Sequence, residues 1–191
     1  MARKGVASVT EASDALRQAR DFMSEASGPP ESEEEQERLT STLYALDYAS
    51  RLAEMAAGDY GSMSNGSEDE SVVGLCAEAM RNAALIAGEV GAMPGDRDEA
   101  RSNGARKRET EGETGVVAQG APTEQAMVQL ELCANTLRDL QGELRKVTLS
   151  SVAGGVVSAD EAMTRVDTLR RLEMLAHYAW RSAAHLVGRG A

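Results

Sequence analysis

The sequence predicts an all-α protein, an up-and-down antiparallel bundle of about five long helices. Three observations predict it. Ala, Leu, Met, Glu and Arg, which lose little on entering a helix, are plentiful, while aromatic residues make up only 3% of the chain. Apolar residues recur at three- and four-residue spacings rather than in strand-like alternation. Start and stop signals punctuate these stretches: Gly28-Pro29-Pro30, Gly58 followed by GSMSNGS, Pro94-Gly95 and Gly154-Gly155.

The first helix is expected over Val9 to Ser27, with Leu16, Ala19 and Met23 at helical spacing and Phe22 beside them. Gly28-Pro29-Pro30 ends it. The acidic run Glu31 to Glu37 suits the positive end of a second helix, whose stripe is Leu39, Leu43, Leu46, Ala49 and Leu52 or Ala53. A third, Glu68 to Met93, carries Val72, Leu75, Ala79 and Ile86. The periodicity then disappears. Residues 94–122 are rich in charge and Gly, almost without large apolar side chains, and read as a disordered linker holding the basic triplet Arg106, Lys107, Arg108. The fourth helix, Thr123 to Val152, has Leu137, Leu140, Leu144 and Val147 as a bundle seam. Ser158-Ala159-Asp160-Glu161 has the form of a capping box, starting a fifth helix that runs to Val187 with Leu169, Leu172, Ala176, Ala179, Ala183 and Leu186 on one face. The organisation expected is a first helical unit at 8–93 (three helices), the linker at 94–122, and a second unit at 123–188 (two long helices) packing with the first. A short repeat, Thr42-Leu43-x-x-Leu46-Asp47 and Thr168-Leu169-x-x-Leu172-Glu173, leaves open whether the units are duplicates.

A formal net charge of -11 argues against a nucleic-acid partner, which needs clustered Lys and Arg to displace counterions. No apolar run approaches the roughly 18 residues of a spanning helix, and the N-terminus lacks an apolar signal core, so a cytoplasmic chain is expected. Cys76 and Cys133 lack CxxC spacing and read as small buried apolar residues in a reducing compartment.

Catalysis has little to stand on. The chain has no GxSxG nucleophile turn, no GxxxxGK[ST] phosphate loop and no Glu-x-x-His pair for a two-metal bundle site, so no enzymatic activity is expected. The only histidines are His177 and His185. Glu173 stands one turn before His177, and Asp139 one turn before Glu143; either pair could hold a metal or simply be polar surface. Trp180 and Arg181 form a candidate partner-binding patch, the plainer alternative being an aromatic that caps the bundle beside an Arg paired to an acid.

TLYALDYASRLAE (Thr42 to Glu54) and LRRLEMLAHYAWRSAAHL (Leu169 to Leu186) resemble the two signature helices of PhoU-like domains, most closely those at the cytoplasmic C-terminus of sodium/phosphate cotransporter family proteins. Glu143 to Met163 resembles that family's stretch before its last helix. The resemblance implies a bundle of repeated three-helix units serving sodium-dependent phosphate transmembrane transport as a regulatory or interaction module. It also implies a membrane phosphate transporter domain as partner, fused or encoded nearby, and a place at the inner face of the cell membrane; a homodimer is a further open assembly. Some such domains bind metal clusters through acid-x-x-x-acid motifs. Here the matching positions are Glu173 with His177 and Asp47 with Arg51, where a cation replaces one ligand and an imidazole another. Glu173, His177 and Asp47 are therefore the metal candidates, and no iron, zinc or other cofactor is expected to be required. The rival readings are a metal-binding PhoU-type bundle and a generic helical adaptor or scaffold.

Overall fold

The computed structural model describes residues 9–26, 28, 30–57, 67–91 and 121–190. They form five helices, with no strand among the described residues: α1 (Val9–Ala26), α2 (Glu33–Ala56), α3 (Ser67–Gly91), α4 (Ala121–Ala153) and α5 (Ala159–Leu186). The all-α class is the one the spacing predicts, and the boundaries agree within about two residues. The linker expected at 94–122 lies outside the described residues, except that Ala121 and Pro122 open α4.

The helix ends follow from local chemistry. Ser32 caps α2, its hydroxyl accepting from the Glu35 amide at 3.1 Å, and Glu33, Glu34 and Glu35 place negative charge at the positive end of the helix. The capping box predicted at α5 is present: the Glu161 amide donates to Ser158 Oγ (3.3 Å) and the Ser158 amide to Glu161 Oε2 (3.2 Å). Ser158 Oγ also donates to Glu161 Oε2 (2.8 Å), and this bond first, with the Ser158 amide second, stabilises the Glu161 anion and holds its carboxyl below its usual pKa. Both α4 and α5 end in Schellman turns. Val156 N donates to Ser151 O (2.9 Å) around Gly155 (φ 70°), and Arg189 N to Ala184 O (2.7 Å) around Gly188 (φ 77°).

Gly188 and Gly88 give a pair of predictions of opposite sign. A Cβ at either would meet open space, so only backbone preference decides. Gly188 lies in the left-handed region, and Gly188→Ala is expected to cost about 1 kcal/mol. Gly88 lies within α3, and Gly88→Ala is expected to stabilise by about 0.5–1 kcal/mol. Urea unfolding midpoints check both; equal shifts would contradict this account of the turn.

Helix α5 is the hub. It packs on α2, α3 and α4, while α3 also packs on α4 and α1 packs on α2 alone. The helices of segment 8–93 are thus divided: α3 joins α4 and α5, whereas α1 and α2 form an arm attached through α5. The main core lies within α3, α4 and α5, where Ile86, Leu130, Leu137 and Leu169 are fully buried. Cys76 and Cys133 are free thiols in that core, and burial pushes the Cys76 thiol up to about 11.

Several expected stripe residues are displaced. On α2 the buried positions are Ala45 and Ala53, while Leu43 is 48% exposed, because the helix seats its small residues against α5. Phe22 faces out at 68% exposure. On α4 Thr148 rather than Val147 turns inward, and on α5 His185 is buried while Leu186 is exposed. The repeated motif also occupies unlike environments: Leu169 and Leu172 are buried, whereas Leu43 is outside.

Candidate functional site

The chain has one Trp, four Tyr, one Phe and two His. Trp180, three of the tyrosines and both histidines lie on or beside the contact between α2 and α5. The two helices run antiparallel there. Ser41 Oγ donates to the His185 carbonyl (3.0 Å), Ser182 Oγ donates to the Ala45 carbonyl (3.0 Å), and Tyr48 meets Tyr178 with centroids 6.2 Å apart. Small residues at Ala45 and Ala179 let the backbones approach closely enough for those hydroxyl bonds.

His185 is at the end of this seam, 7% exposed. Its ring stacks on Tyr44 (5.0 Å) and Tyr48 (5.7 Å), and Gly190 lies so close that a Cβ there would overlap the imidazole. Arg181 Nη2 donates to Nε2 at 3.3 Å. The Ser41 hydroxyl proton is committed to the His185 carbonyl, so its oxygen, 3.5 Å from Nδ1, is an acceptor. These contacts specify a neutral ring protonated on Nδ1. Burial first, and Arg181 second, lower its pKa.

One turn nearer the middle, Arg181 lies over the Tyr48 ring (5.4 Å to its centroid) and the Trp180 ring (5.6 Å), within cation–π range. The candidate patch of Trp180 and Arg181 is therefore half-buried and engaged within the chain. The partners of Arg181 are rings and an imidazole, where an acid was the plainer expectation. Trp180 packs against the core and meets His177 edge-on at 5.9 Å.

The metal candidates separate. Arg138 of α4 donates to His177 Nδ1 at 3.3 Å and stands 3.9 Å from Glu173. Burial is the main cause that lowers the His177 pKa; Glu173 opposes it, and Arg138 and Arg181 add to it. Asp47 is in an exposed i,i+4 ion pair with Arg51 (2.9 Å). Asp139 and Glu143 lie on the exposed side of α4. Among the described residues no group of three or more His, Cys, Asp or Glu could hold a metal ion. Cations occupy the places a metal would take, so treatment with a chelator is expected to leave the melting temperature unchanged. A fall of several degrees, restored by iron or zinc, would show that a metal supports the fold.

The groups the seam offers are suited to contacts with another molecule, and they include the His185 imidazole. The others are aromatic faces, a guanidinium and hydroxyls, and the seam adjoins a cleft of about 650 Å³ whose lining includes Glu33, Glu37, Ser41, Tyr44 and His185. The stacked Tyr44 and Tyr48 are what sequence reading missed; the signal available was a Tyr-x-x-x-Tyr spacing in a chain otherwise poor in aromatics. No helix among the described residues is long and apolar enough to cross a membrane. No family model, curated protein or solved structure matches the chain, so the reading of this site rests on its own geometry.

Proposed function

We propose that this chain is a PhoU-like helical interaction module that regulates phosphate uptake by binding a membrane phosphate transporter domain at the inner face of the cell membrane. It does no chemistry of its own. The observation that supports this reading is a juxtaposition: Thr42 to Glu54 on α2 and Leu169 to Leu186 on α5, the segments that resemble the signature helices, pack against each other and supply the aromatic and Arg residues of the seam. Of these, Tyr44 stays half exposed, an aromatic of the kind that interfaces favour. A regulatory module acts by contacting two states of its partner unequally, so its effect belongs in transport and its control rather than in turnover.

The test is to express the transporter, fused or encoded nearby, with and without residues 8–188, and to measure sodium-dependent phosphate flux at high and low external phosphate. The flux or its dependence on phosphate is expected to change. Identical behaviour would leave a generic scaffold as the better description, with Trp180 and Arg181 as the first residues to probe for its partner.

A further inference from the structure

We propose that His185 is a proton-controlled latch, which in its neutral form holds the α1–α2 arm on the α3–α4–α5 core and on protonation releases it. The proposal goes beyond the transport reading and does not depend on it. It begins from the attachment of the arm. Helix α1 has no buried side chain among those described, and α2 fully buries only Ala45 and Ala53, with Leu52, Met55 and Ala56 half-buried against the core at its C-terminal end; the arm's route to the core is the α2–α5 seam. That apolar packing lies toward the C-terminal end of α2; at the other end the contact is made by polar and aromatic pairs, and three of these converge on His185: the stacks with Tyr44 and Tyr48 and the pair with Ser41.

The groups facing the ring set the consequence of protonation. On its own helix Arg181 contacts Nε2 and can only donate. From α2 the ring meets Ser41, Tyr44 and Tyr48, and Glu33, Glu34, Glu37 and Arg38 line the adjoining cleft. From the C-terminal turn Gly190 covers it, while the nearby Arg189 is paired to Glu124 of α4 at 2.9 Å. The charged group in contact with the imidazole is thus a cation. A second proton on the ring removes the acceptor that Arg181 uses and sets two positive charges against each other in a buried site. Moving Arg181 away also withdraws it from Tyr48, a second tie to α2.

The sign follows. The pKa of the closed form lies below that of an exposed histidine, so the released form binds more protons in the window between them. The latch is fully effective above the ordinary histidine value of about 6.5, weakens as pH falls from there to the lower value, by up to about tenfold in the closed-to-open ratio per pH unit, and changes no further below it.

With two histidines in the chain, single His→Gln substitutions assign the imidazole carbon-bound proton resonances. The intact protein is titrated from pH 8 to pH 4 while these and the Tyr44 and Tyr48 ring signals are followed, and urea unfolding is measured at each pH. His185 is expected to titrate below the ordinary value, with both tyrosines shifting at the same midpoint. Unfolding midpoints should fall on acidification in the wild type; His185→Gln should remove its own share of that slope, beyond the share that buried His177, whose pKa is also lowered, contributes and His177→Gln removes. An ordinary His185 titration with unmoved tyrosines overturns the proposal, as does an unchanged pH slope in His185→Gln. If that variant does not fold, Arg181→Met decides instead: the His185 midpoint should rise toward the ordinary value, and a midpoint that stays put overturns the latch.

Discussion

Leu137→Ala is expected to lower the stability of the chain by about 2–5 kcal/mol, while Leu43→Ala changes it by no more than about 0.5 kcal/mol. Both leucines occupy helical stripes in the sequence, so only their surroundings separate them. Leu137 is enclosed by the packing of α3, α4 and α5, and truncating it loses the transfer of the removed atoms and leaves a void that rigid neighbours fill only in part. Leu43 stands nearly half exposed on the outer side of α2, where water already covers much of it. Urea unfolding monitored by far-UV circular dichroism measures the two. Comparable losses would mean that the face of α2 carrying Leu43 is covered in solution, and the seam would then need to be re-examined.

That contrast shows where the sequence was legible. Helices α3, α4 and α5 bury one consistent stripe each, so Val72, Ala79, Ile86, Leu137, Leu144, Leu169 and Leu172 could be read from spacing alone. The Ser158 cap was equally legible, because Ser at the first position and Glu three residues later have few other roles before a helix. Helix α2 was read only in part, for a physical reason. Periodicity finds the largest apolar side chains, but α2 approaches α5 through alanines and then uses tyrosines and a serine on that same face, so Leu43 is left outside while Leu52 and Ala53 of the predicted stripe do pack inward. The site was hidden by the same feature. His185 looks like a surface residue near the end of a helix until α2 is placed antiparallel on α5, which brings residues 41, 44 and 48 around it, and no local pattern carries that register.

Amides in α2 are expected to exchange with solvent roughly a hundredfold faster than the slowest amides of α5, through an opening that leaves the α3–α4–α5 core closed. The reason is the uneven distribution of buried apolar surface. The core holds Ile86, Leu130, Leu137 and Leu169 fully buried, whereas the arm contributes two buried alanines and the half-buried Leu52, Met55 and Ala56. An open apolar groove of about 770 Å³, lined by Leu16 of α1, Leu52 of α2, Met80 of α3 and Leu175 of α5, lies beside the arm, so the packing there is incomplete. Little apolar area is therefore re-exposed when the arm lifts, and opening costs less than global unfolding. Tyr48→Ala sharpens the expectation, since it removes a stack on His185, a contact with Tyr178 and the ring under Arg181. At pH 7.5, where His185 is neutral, the variant should speed exchange throughout α1 and α2 and leave the slowest amides of α4 and α5 unchanged. Hydrogen exchange followed by mass spectrometry of proteolytic fragments resolves the two sets. Uniform protection across all five helices, or a Tyr48→Ala effect shared equally by α2 and α5, would mean that the bundle opens as one unit, and an element with two positions, which a module acting by differential contacts requires, would have to be sought elsewhere in the chain.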